Sequence, residues 1–101
     1  MDRETFLANA RGWQIDPIWV GDDLAALVVR RDNEIHLCKL GNHDIQRQHL
    51  RTYLHPGVMT RIPPSLMDAA AFVRRLGFIL AGHDRFGNHI YTLEGKPCQQ
   101  Q

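Results

Sequence analysis

The sequence predicts an α+β domain, α/β/α-like, built on one mostly antiparallel central sheet flanked by about three helices. Three observations lead there. Leu24–Arg30 and Glu34–Leu40 are β-rich runs separated by the turn-forming Arg31-Asp32-Asn33. Leu66, Ala69, Ala70, Val73 and Leu76 recur at helical spacing and end at Gly77. Two further strand-like runs, Phe78–Gly82 and His89–Leu93, bracket Asp84-Arg85-Phe86-Gly87-Asn88.

In chain order, residues 2–11 are expected to form a short helix, with Asp2 as its cap and Phe6, Leu7 and Ala10 on one face. Gly12 ends it. Residues 13–20 are extended, and Pro17 within them argues for an edge strand because proline donates no ladder hydrogen bond. Gly21-Asp22-Asp23 turns the chain into the Leu24–Leu40 hairpin, and Gly41-Asn42 breaks its second strand. Asp44–Leu54 has helix-forming composition with Asp44 as a simple cap, although its apolar spacing is imperfect. His55-Pro56-Gly57 stops it, Val58–Ile62 is a short strand, and Pro63-Pro64 forbids further ladder pairing. Ser65 is the expected cap of the last helix, with Asp68 as a favourable acid in its first turn.

The 101 residues fit a single domain over 1–95, with 96–101 expected as a disordered tail. Hydrophobic content of 44% against 23% charged residues supports a packed core rather than a disordered chain. Net charge is +1, but it is unevenly distributed. Residues 1–38 hold four basic and seven acidic side chains, whereas 39–83 hold six basic and two acidic ones. A basic middle can face a phosphorylated ligand, a nucleic acid or an acidic protein, or be plain solvated surface. No nucleic-acid motif accompanies it, so a nucleic-acid partner is not expected. Cys38 and Cys98 form no Cys-x-x-Cys pattern, no apolar run approaches the roughly 18 residues of a membrane span, and Met1-Asp2-Arg3-Glu4 has no signal-peptide character. A cytoplasmic protein without a membrane partner is therefore expected.

From Val58 onward the chain resembles the GNAT superfamily of acyl-CoA N-acetyltransferases. The resemblance is carried by Val58–Ile62, the helix with Ala69-Ala70-Ala71-Phe72-Val73-Arg74-Arg75, the junction Leu76-Gly77-Phe78, and the closing hairpin to Tyr91-Thr92-Leu93-Glu94. The Leu24–Leu40 hairpin stands where the family's central strands would be. The resemblance implies an acyl-CoA-dependent N-acyltransferase or a CoA-binding relative, with acetyl-CoA as cofactor. Lys39, Leu40, Gly41 and Asn42 would hold the pantetheine, and the helix entrance at Gly41, Asn42, His43, Asp44 and Ile45 would hold the phosphates.

The sequence departs from the family's pattern at telling places. The phosphate loop has one glycine and carries the acidic Asp44; Val73 stands where many members use a tyrosine as general acid; Ser65 or Leu66 is nearest to an often-found asparagine. A catalytic glutamate on the central strands would be Glu34, which lies beside a turn and reads more simply as a solvated turn carboxylate. These departures lead to the alternative of a non-catalytic structural or assembly module with a GNAT-like fold, of the kind found among tailed-phage virion and head-assembly proteins. Its partner would then be another protein or further copies of itself, and its location that of the virion if phage-encoded.

No metal site is expected. His43, His49 and His55 are six residues apart, about 240° of helical rotation, so they cannot share a helix face. His36 lies on a strand, and His83 and His89 flank the last turn, where His83-Asp84 reads as a proton-transfer pair or, more simply, as a solvated turn, since adjacent strand-end residues point apart. Trp13 and Trp19 read as partner contact, core packing or edge cover, Arg74-Arg75 as phosphate grip or solvated face, and Phe86 as an aromatic set either to touch something from a hairpin tip or to fold back.

Overall fold

The structure, a computed structural model, describes residues 12–94. The expected helix over 2–11 and the tail over 96–101 lie outside the described residues. The chain falls into two compact units, Met1–Arg51 and Thr52–Gln101. Both are built on antiparallel strand pairing, and the α+β class holds.

The first unit is a three-stranded meander. Strands β1 (Gln14–Val20), β2 (Asp23–Arg31) and β3 (Glu34–Lys39) pair antiparallel in that order. Two-residue loops join them, Gly21-Asp22 and Asp32-Asn33. Gly21 (φ 63°) and Asp32 (φ 57°) take the left-handed conformation that brings strands straight back beside themselves. Asp32 is the one non-glycine residue with positive φ among the described residues, a conformation Asp tolerates better than most. Pro17 sits on β1, which pairs with β2 alone, so the edge expectation holds. The strand between two partners, β2, buries Ala25, Ala26, Leu27, Val28 and Val29 in succession, so both of its faces are covered.

The expected helix over Asp44–Leu54 is corrected to a 3₁₀ helix, Arg47–Tyr53. Residues 43–46 are irregular, so Asp44 caps nothing. The Gln46 N–H donates to His49 Nδ1 at 2.9 Å, and the His49 N–H donates to the Gln46 carbonyl at 2.9 Å. A side chain from within the segment thus takes the opening N–H, and the two buried apolar residues, Ile45 and Leu50, are too few to define an α-helical stripe. Among the described residues there is therefore one α-helix and one 3₁₀ helix, fewer than the three helices expected.

The second unit runs β4 (Met59–Ile62), α1 (Met67–Arg75), β5 (Ile79–His83), β6 (His89–Thr92). β6 lies between β4 and β5 and is antiparallel to both, so β4–α1–β5 is a split β-α-β unit. Ser65 does not cap α1. Pro63–Leu66 closes a turn through the Leu66 N–H to the Pro63 carbonyl (3.0 Å), and Leu66 becomes the cap residue without a side-chain bond. The helix end matches expectation. Gly77 (φ 105°) lets its N–H reach the Arg74 carbonyl and the Phe78 N–H reach the Val73 carbonyl, both at 3.0 Å, the paired bonds of a Schellman motif. Phe78 is thereby turned inward and buried. Register partners share a face, so Thr60, Tyr91 and Leu80 align, as do Ile62, His89 and His83. Arg74 donates to the Tyr91 hydroxyl at 3.3 Å, which sets α1 over that face.

Candidate functional site

The expected ligand-binding stretch follows β3 out of the meander. Lys39 is the last strand residue, and the Leu40 N–H extends the ladder by donating to the Ala25 carbonyl at 2.9 Å. The chain then bends at Gly41-Asn42, beside the start of β2. There Asp23, Leu24, Gly41, Asn42 and His43 line an open groove of about 530 Å³. Across it, His43 Nε2 stands 3.1 Å from Asp23 Oδ2. The pair is open to water, with the carboxylate side chain 72% exposed, so their attraction is weak and mainly orients the ring.

Of the seven residues expected to hold a CoA-type ligand, the groove collects Gly41, Asn42 and His43. Asp44 is exposed beyond it, and Ile45 is buried. These residues fit a pyrophosphate poorly. A phosphate cradle needs convergent N–H groups at a helix start. Here no α-helix follows, the Gln46 N–H is taken by His49, and Asp23 brings a carboxylate to the groove. Gly41 lacks a positive φ, and a Cβ built there would meet open space, so nothing requires a glycine for close backbone approach.

The remaining candidates are engaged locally. Glu34 Oε2 lies 2.7 Å from His36 Nε2. The His36 ring packs edge-on against Trp13 at 5.5 Å, and the Arg31 guanidinium stacks on the same indole at 4.4 Å. Trp13 therefore covers the meander, whereas Trp19 is 56% exposed. Within α1, Val73 supplies its carbonyl to the helix end and Arg74 its guanidinium to Tyr91.

Asp84 is the organiser of the β5–β6 loop rather than a proton-transfer partner of His83. Its Oδ1 accepts from the backbone N–H groups of Phe86 and Asn88, both at 2.9 Å, and its Oδ2 accepts from Asn88 Nδ2 at 3.1 Å. Arg61 Nη1 lies 3.5 Å from the same Oδ2. Desolvation opposes ionisation of Asp84, but the Asn88 and Phe86 hydrogen bonds and the Arg61 charge outweigh it and hold the carboxyl below the ordinary carboxylate range. The sequence signal was present in Asp84-x-Phe86-Gly87-Asn88, an Asx-type turn with Gly87 at φ 87°. Phe86 stands 74% exposed at the tip.

Among the described residues, no group of three or more His, Cys, Asp or Glu side chains is placed to hold a metal ion. No helix among them is long and apolar enough to cross a membrane. No protein-family model matches the chain, and neither do curated proteins or solved structures.

Proposed function

We propose that the chain is a non-catalytic assembly module on a GNAT-like frame, acting by contact with another protein surface. The observation that carries this reading is where the second unit leaves its large apolar side chains. Leu66 and Met67 at the start of α1, Ile79 and Leu80 on β5, and Phe86 at the hairpin tip are all exposed, Met67 by 76%. The helix α1 buries none of its own residues fully. Apolar surface left in water is the raw material of a protein interface. The order strand, helix, Leu-Gly-Phe junction and hairpin supports the GNAT-like frame, and Val73 in place of a proton donor supports the loss of its chemistry. Light scattering across a concentration series, with purification under mild conditions, tests it. Self-association or a stoichiometric partner is expected, without a response to acetyl-CoA. A monomer that turns over acetyl-CoA overturns the reading.

The groove at Gly41–His43 favours a second reading, a CoA-binding or acyltransferase relative. Its test is an amide-resolved titration with acetyl-CoA. Saturable shifts confined to Lys39–Ile45 would replace the first reading with this one, and silence there at millimolar ligand removes it.

A further inference from the structure

Two histidines that the sequence separates by a turn are brought together by strand register. His83 ends β5, His89 begins β6, and the two are direct cross-strand partners. Register partners in an antiparallel pair project from the same face with their Cβ atoms about 4.5–5.5 Å apart. The imidazole centroids lie 4.8 Å apart with the ring planes at 83°. Among the described residues, no hydrogen bond or ion pair engages a nitrogen of either ring. His83 is exposed and His89 half-buried, so solvent reaches the pair at the sheet edge. Asp84, the nearest carboxylate in sequence, is bound by its own loop and by Arg61.

We propose that His83 and His89 form a two-imidazole site for a borderline divalent transition-metal ion of the zinc, nickel or copper class. Neutral imidazole suits these ions and not magnesium or calcium, which take oxygen donors. A cross-strand pair offers both nitrogens on one side of a ladder that is already rigid, so little order is lost when a metal bridges them. The rings stand edge to face as placed, so bringing a nitrogen of each onto one ion would require rotation about the outer side-chain bonds. Water completes the coordination shell, as in sites with open positions. The two rings stand on the face that carries Tyr91, whose ring is 6.4 Å from that of His89. A bound ion would tie the end of β5 to the start of β6 at the base of the Asp84 loop.

The test is a Zn²⁺ titration of the tag-free full chain at about pH 8, read on the imidazole signals of all six histidines together with calorimetry. The expected result is one ion per chain, with His83 and His89 moving together on a single isotherm ahead of His36, His43, His49 and His55. H83N and H89N should each weaken binding by more than the about 10–100-fold that losing a mere supporting partner of a metal ligand costs. H83Q and H89Q serve where an Asn variant disturbs the amide spectrum. The proposal is overturned if neither ring responds at millimolar Zn²⁺. It is equally overturned if all six rings respond alike, or if removing His83 leaves the response of His89 intact.

Discussion

Strands β2 and β5 are both short apolar runs, and the molecule treats them in opposite ways. β2 buries five consecutive residues between two partners. β5 lies at an edge with β6 alone beside it, and Ile79 and Leu80 stay about half exposed. Both runs are apolar, and position in the ladder sets how far each is buried. β5 has no Lys or Pro to blunt its open side, and its irregularity between Leu80 and Gly82 is the one protective device it carries.

The contrast can be broken or sharpened by substitution. Val28→Asp places an unpaired charge where side-chain exposure is 2%, and should cost more than about 4 kcal/mol, leaving no cooperative urea transition. Tyr91→Ala, on the central strand of the second unit, should cost about 3–5 kcal/mol by the same measurement. Gly77→Ala forces a Cβ into φ 105° and should cost about 1–2 kcal/mol, seen as a lower midpoint with unchanged urea dependence. Asp84→Asn should change the acid limb of stability. The folded carboxyl ionises more readily than the unfolded one, so its contribution is present above about pH 4 and is lost as pH falls through the folded value. The variant should lose that limb, as measured by thermal melts between about pH 2 and pH 7. Leu80→Lys on the edge should alter stability by no more than about 0.5 kcal/mol while reducing self-association in light scattering. A large destabilisation there would show that β5 is not the open edge its exposure implies.

How much of this was legible in the sequence depended on how local the cause was. The β2–β3 hairpin and the Gly77-Phe78 helix end were readable because turn residues and a left-handed glycine act within a few positions. Ser65 misled because two prolines placed it inside a turn, one residue before the true cap. The 3₁₀ segment was hidden because His49, an unusual capping group, supplies the acceptor at its start. At the candidate site, Gly41 to His43 were readable as a strand exit, but the approach of Asp23, twenty residues earlier, needs the meander to be built. The His83–His89 pairing needs a register, and register across a five-residue loop with an irregular strand is not written in spacing alone.

The two-residue loops of the meander also bear on the order of events during folding. β1 meets β2 and β2 meets β3 between near neighbours in the chain, so closing either ladder confines little chain. β4 must wait for α1, β5 and a further loop before Ile62 finds His89. Rates follow the sequence distance over which contacts form. The first unit should therefore protect its amides earlier than the second in pulse-labelled exchange. A ribosome would release the fast half first, with the slow half assembling behind it.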